Sequence, residues 1–210
     1  GGISGLTGLV ENNSIWLGND PTSTTDTASY SVALGTTALD AITTGDSNTA
    51  IGYAAATALT TASNNTAVGK DAGLALTTGG QNTAVGRLAL SVNTTGVSNT
   101  CLGDQAGSDN TGSYNTLLGA ISGNVGTGNY NVVAGYSAYN AAGDGGSNVA
   151  IGYDSMNANT GGDNNVGVGA VTLNANTTGD YNVAVGRSAL AANTTASNNT
   201  AVGKDALTAN

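Results

Sequence analysis

A glycine recurs along this chain with almost no variation in spacing. It stands at Gly18, Gly35, Gly52, Gly69, Gly86, Gly103, Gly119, Gly135, Gly152, Gly169, Gly186 and Gly203. Nine of the eleven intervals are 17 residues; Gly103 to Gly119 and Gly119 to Gly135 are 16. A fixed period near twenty is the mark of a solenoid, in which one coil cannot bury its own apolar face and must stack on its neighbours. The word TTASNNTAVGKDA stands verbatim at 60–72 and again at 194–206, eight coils on. The fold expected is therefore all-β: a parallel β-solenoid, or β-roll, of about twelve 17-residue coils.

Each glycine closes a word of the form NTAVG, with branched residues alternating with a small one, which reads as a short strand. The segment that follows, as in KDAL, RLAL and RSAL, reads as a second short strand, and a Thr-Thr-Gly turn completes the coil. No stretch keeps a 3.6-residue period, and the wealth of Gly, Thr and Asn depresses helix propensity. The two short coils lack a residue just ahead of the turn, where length changes belong.

Two residues before most of the glycines stands a small residue, such as Ala33, Ala50, Ala67, Ala84, Cys101, Ala150 and Gly167; Trp16, Leu117 and Val133 are exceptions. The positions on either side hold Val or Thr (Val32, Thr49, Thr66) and an aliphatic residue (Leu34, Ile51, Val68). These flanking positions are expected to point inward. A strand apolar on both faces is buried on both, so the pattern calls for a second and third copy of the chain packed along the rod. The word opens on Asn in ten coils: Asn48, Asn65, Asn82, Asn99, Asn115, Asn131, Asn148, Asn165, Asn182 and Asn199. Ser14 and Ser31 take that place in the first two. Coils about 4.8 Å apart would stack these amides into a hydrogen-bonded ladder, in a rod of roughly 58 Å. The alternative use of Asn-Asn-Thr, at 64–66 and 198–200, is glycosylation.

Residues 1–21 hold the only Trp and the only Glu and Pro, Trp16, Glu11 and Pro21. They are expected to form a cap or junction leading into the first coil, with 22–210 a continuous array. The sequence stops within a repeat, so a longer protein or a subunit covering the coil end is expected.

The words themselves resemble two families. YSVALG (30–35), NVAIGYDSM (148–156) and NTAVGKDAL (199–207) are similar to the head repeats of YadA-like trimeric autotransporter adhesins, and more closely to the repeat shafts of phage tail fibres. NNSIWLGNDP (12–21) looks like the entry to such a fibre array. The resemblance covers nearly the whole chain and implies a left-handed parallel β-roll, a homotrimer, and host attachment from a virion tail fibre or a cell surface. The 17-residue period is longer than adhesin heads usually have. An extracellular filament whose subunits stack coil on coil is a further expectation.

The chemistry available is narrow. With no His and Glu11 the sole Glu, the commonest bases and metal ligands are missing, so no enzyme, cofactor or metal is expected. Asp46, Asp109, Asp144, Asp163 and Asp180 read as turn residues. Cys101 reads as packing. A net charge of −9 argues against nucleic acid as a partner, since phosphate binding needs Lys and Arg. No apolar run is long enough for a membrane-spanning helix, so no membrane insertion is expected. Ice binding needs a flat outward Thr grid and is disfavoured, since the one Thr per strand is expected to face inward with Val. One column stands out: Tyr53, Lys70, Arg87, Tyr136, Tyr153, Arg187 and Lys204 all follow the motif glycine directly. They read either as the solvent-facing edges of the coils, where long side chains fit without crowding, or as a lateral ridge of candidate contacts for a host-surface glycan or protein. Tyr30, Tyr114, Tyr130 and Tyr181 stand just before the ladder position.

Overall fold

The computed structural model describes residues 8–18, 27–141 and 143–208. They form a single 13-stranded sheet whose strands lie side by side in chain order. Strand β1 (Gly8–Glu11) pairs antiparallel with β2 (Ser14–Leu17) through a turn at Asn12 and Asn13, both at positive φ. From β2 onward every pairing is parallel, from β3 (Val32–Leu34) to β13 (Thr200–Val202). The register keeps like residues together: Val32 on Thr49, Ala33 on Ala50, Leu34 on Ile51. The fold is thus an all-β parallel solenoid. The boundary expected at residue 21 lies outside the described residues.

The two 16-residue coils keep the same register, Thr100 on Thr116 and Thr116 on Val132. Their missing residue falls between the buried glycines Gly107 and Gly123 and the following turn. The sheet therefore does not sense the deletion.

The segment after each motif glycine is not a second strand. It is a run of turns in which the second and fourth residues after the glycine take positive φ: Leu88 and Leu90, Val171 and Leu173, Ser188 and Leu190. Bulky residues rarely adopt this conformation unaided. Here hydrogen bonds between coils hold it, Leu88 N–H donating to Lys70 O at 3.0 Å and Leu90 N–H to Ala106 O at 3.0 Å.

The motif glycine is required twice over. Gly86 has φ +136°, and a Cβ there would stand 2.1 Å from the carbonyl oxygen of Gly103 in the next coil. Only a residue without a side chain lets consecutive coils approach so closely.

The strand buries one face, not two. The middle residue of each strand (Ala33, Ala50, Ala67, Ala84, Cys101, Leu117) is fully or almost fully buried inside the coil. The flanking residues expected to point inward point outward instead, with Val32, Leu34, Ile51, Leu102 and Ile151 at 36–44% exposure. The reason is that the coil does have a core. Leu39, Leu90, Tyr139, Met156, Leu173 and Leu190, each four residues after a motif glycine, project back from the opposite wall and are fully buried. The interior is about one large side chain deep, which is why its sheet side takes Ala.

The exceptions fit the same account. Leu117 fills space left by two glycines: a Cβ on Gly123 would come within 2.3 Å of Leu117 Cδ2, and one on Gly107 within 2.8 Å of Cδ1. Gly167 in turn makes room for Met156 and for Ser155, whose hydroxyl lies 2.7 Å from that of Thr172.

Candidate functional site

Three side-chain ladders run along the stack, and they fix what reaches the surface. The first is the expected Asn ladder, with different wiring. Each Asn Oδ1 accepts from the backbone N–H of the Asn one coil on, as in Asn82 N to Asn65 Oδ1 and Asn99 N to Asn82 Oδ1, both 2.9 Å. In most coils Nδ2 donates to a turn carbonyl, Asn82 to Gly96 O and Asn165 to Gly179 O. Amide-to-amide bonds occur as well, Asn99 Nδ2 to Asn82 Oδ1 at 3.0 Å. The residue before each ladder Asn is left-handed (Gln81 φ 63°, Ser98 φ 56°). The Asn N–H is thereby met by a side chain and not by a strand carbonyl. Ser14 and Ser31 do the same work in the first coils, accepting from Ser31 N and Asn48 N.

The sequence reading missed two further ladders. Asn93, Asn110, Asn159, Asn176 and Asn193 are buried on the opposite side of the interior. Asn176 Nδ2 donates to Asn159 Oδ1, and Asn193 Nδ2 to Asn176 Oδ1. The fully buried Tyr139 joins this set. Its hydroxyl donates to Gly145 O at 3.0 Å and accepts from Asn159 Nδ2 at 2.9 Å, and burial pushes its pKa up. The signal was the Asn of N-T-T-G, hidden by the abundance of Asn.

The third ladder stands two residues before the ladder Asn. Asp46 Oδ1 accepts from Ser29 N, Asp163 Oδ1 from Gly146 N, and Asp180 Oδ1 from Asp163 N. Asp46, Asp163 and Asp180 are therefore turn residues in a specific sense: each caps the turn of the preceding coil.

Two columns flank the outward face of the sheet. The one after the motif glycine holds the seven candidate residues, and all are exposed: Tyr53, Lys70, Arg87, Tyr136, Tyr153, Arg187 and Lys204. The structure brings four of them together in two pairs, Tyr53 with Lys70 and Tyr136 with Tyr153, and does not bring Arg87, Arg187 or Lys204 against another of the seven. The Lys70 ammonium lies 5.7 Å from the Tyr53 ring centroid and pairs with Asp71. Tyr136 and Tyr153 stack at 6.1 Å with 8° between their planes. Arg87 pairs with Asp104 at 2.9 Å and Lys204 with Asp205 at 3.1 Å. Asp104 belongs to the same column. Hydrogen bonds from Gln105 and Arg87 hold its carboxyl below the usual range. A hydrogen bond to Asp154 and that carboxylate's charge raise the pKa of Tyr153. Ala120 and Ala170 interrupt the column, so it is three short patches and not one ridge.

The other column, before the ladder Asn, carries Tyr30, Tyr114, Tyr130 and Tyr181, all exposed. Tyr114 and Tyr130, one coil apart, stack at 5.0 Å with 3° between planes. Between the two columns the sheet shows Thr49, Thr66, Thr83, Thr100 and Thr116 in one rank over five successive coils, pointing outward. This removes the ground on which an outward Thr grid was disfavoured. Cys101 is buried at the sheet side of the core, where desolvation lifts its pKa to about 12. Among the described residues no group of three or more His, Cys, Asp or Glu is placed to hold a metal ion, and no helix is long and apolar enough to cross a membrane. Protein families, curated proteins and solved structures offer no match to the chain.

Proposed function

We propose that this chain is a shaft segment of an extracellular attachment fibre, with a phage tail fibre as first reading, a bacterial surface adhesin head as alternative and a coil-stacking extracellular filament as a third. Three copies pack their sheets about a common axis. The outward sheet face carries this reading. From β3 to β13, eleven strands each present two outward side chains, twenty-two in all, and every one is Val, Leu, Ile, Thr or Ala. Solvated surfaces intersperse charge; a contiguous uncharged and largely apolar patch of this extent marks an interface. The stripe is continuous along the rod and regular from coil to coil, which suits a symmetric partner with the same repeat. Resemblance to tail-fibre and adhesin repeats supports the same arrangement. In a trimer built this way, the flanking columns with the candidate ridge residues border the interface, and host contact falls to them.

Light scattering tests this. The purified chain should have three times the 20.2 kDa chain mass. Val85→Lys with Ile151→Lys should give monomers whose circular dichroism is unchanged. A wild-type monomer would overturn the trimer.

One observation favours a second reading. The rank of Thr beside aliphatic residues, repeated at about 4.8 Å, is a regular array of hydroxyls and methyls suited to ordering water into an ice-like layer. The two readings compete for one face, so a monomer that produces thermal hysteresis would select the second.

A further inference from the structure

The column before the ladder Asn contains a gap. Its successive members are Tyr114, Tyr130, Ser147, Asn164 and Tyr181. Tyr114 and Tyr130 form a two-ring stack along the rod axis. The next place holds Ser147, so the second face of the Tyr130 ring has no third ring against it. A surface slot of about 230 Å³ opens at this step, between Tyr130 and Asn164, with Ser147 and Gly146 beneath. Asn129, Asp144 and Asp163 complete its lining.

The polar groups of the slot are held in place yet not used up. Asp163 Oδ1 accepts from Gly146 N at 2.7 Å, and Asp144 Oδ1 from the Thr127 hydroxyl. Asp144 stands in a column otherwise rich in Thr. Each carboxylate keeps its second oxygen for another donor. Asn129 uses its Oδ1 on Ser113 N at 2.7 Å, which leaves its amide N–H groups to donate.

We propose that this slot binds one neutral pyranose ring of a glycan, stacked on Tyr130 as the third ring of the Tyr114–Tyr130 column. The chemistry selects this class. A pyranose offers an apolar C–H face to the aromatic ring and hydroxyl donors at its edge. Asp144 and Asp163 accept from those hydroxyls, and the amides of Asn129 and Asn164 serve the remaining donors and acceptors. Two carboxylates with no Lys or Arg in the lining repel phosphates, sialic acids and uronic acids. A bare aromatic ring would stack equally well but would leave both carboxylates without donors. The volume lies below the 300–1,000 Å³ of pockets for drug-sized ligands, a size for one ring. The inference deepens the attachment reading by giving the ligand class, although the slot lies outside the seven ridge residues.

The test uses the purified chain and saturation-transfer NMR with methyl α-mannoside, methyl β-glucoside and methyl β-galactoside at millimolar concentration. Sialyllactose and glucuronic acid are the charged comparators. At least one neutral hexoside should show transfer to its ring C–H protons, and the charged sugars none. Ser147→Tyr should fill the slot and cut binding at least about tenfold. It should keep the fold, since Tyr130 holds the same backbone conformation in the same column (φ 60° against 58°). Tyr130→Ala should abolish the signal as well. No transfer from any neutral hexoside, stronger transfer from the charged sugars, or full binding by Ser147→Tyr would each overturn the proposal. Sugar binding by a chain that does not attach to cells would count against the attachment reading alone.

Discussion

Replacing Asn82 by alanine should loosen the stack by about 2–4 kcal/mol. Asn82 is 1% exposed, and its side chain makes four hydrogen bonds. Two survivors keep other partners: Asn99 Nδ2 still donates to Gly112 O, and Asn65 Oδ1 still accepts from Asn82 N. Asn99 N–H and Gly96 C=O lose the partner this side chain gave them. An orphaned buried polar group costs about 1–3 kcal/mol, so two cost about 2–6. A water entering the vacated space would offset part of this. Asn82→Asp separates the two halves of the role. It keeps the acceptor for Asn99 but turns an oxygen toward Gly96 O, where only a protonated carboxyl can donate. Burial disfavours the charged form, so the carboxyl's folded pKa rises above its unfolded value of about 3.9. The variant's stability relative to wild type is therefore fully present below about pH 4 and is lost as pH rises through the folded pKa. Urea titration at about pH 4 and pH 7, with hydrogen exchange at the Asn99 amide, measures both effects. Exchange matters because a repeat array need not unfold as one unit. An Asn82→Ala loss under about 0.5 kcal/mol, or an Asn82→Asp effect flat with pH, would refute the assignment of the ladder as a source of stability.

Leu117→Ala should cost about 2–5 kcal/mol in a urea titration, because Gly107 and Gly123 leave no atoms to collapse into the cavity. Cys101, neutral up to about pH 12, should resist iodoacetamide in the native state and react once urea opens the stack. Its raised pKa also fixes a sign. Between the ordinary thiol value of 9.0 and about 12 the unfolded chain loses this proton and the native chain does not, so stability falls with pH across that window, and Cys101→Ala should lessen the fall.

The period, the strand and the motif glycine were legible because each rests on local chemistry: alternation along a strand, and a φ that only glycine takes easily. The direction of the strand was not. Both of its faces are small or apolar, so alternation could not say which one turns inward. That depends on how far Leu90 or Met156 reaches from the opposite wall, a fact of tertiary packing. The turns after the glycine were illegible for a related reason. Leu88 and Val171 have no intrinsic wish for positive φ, and bonds to neighbouring coils impose it. That seven residues share the place after the motif glycine was legible, but not their pairing, because Asp104 and the gaps at Ala120 and Ala170 matter only once the column is laid out in order. The slot beside Tyr130 was missed because its defining residue, Ser147, is a side chain too small to notice.

Volume is exchanged between two interior walls, coil by coil. Where the residue four after the glycine is large, the buried position three further on is Asn: Leu90 with Asn93, Met156 with Asn159, Leu173 with Asn176, Leu190 with Asn193. Where it is small, that position is Leu in two coils, Ala56 with Leu59 and Gly73 with Leu76; at Gly107, followed by Asn110, and at Gly123 the volume comes from Leu117 on the sheet wall instead. A Cβ on Gly73 would stand 2.9 Å from Leu76 Cδ1, so that pair is coupled sterically. Close packing forbids both members of a pair from growing at once unless a neighbour yields; Leu39 with Ile42 is the one pair in which both are large. With the interior bound by volume, the ladders by hydrogen bonding and the sheet by its face, little is left free to differ between coils. What remains is the two flanking columns, and they hold all four cationic side chains and seven of the eight Tyr.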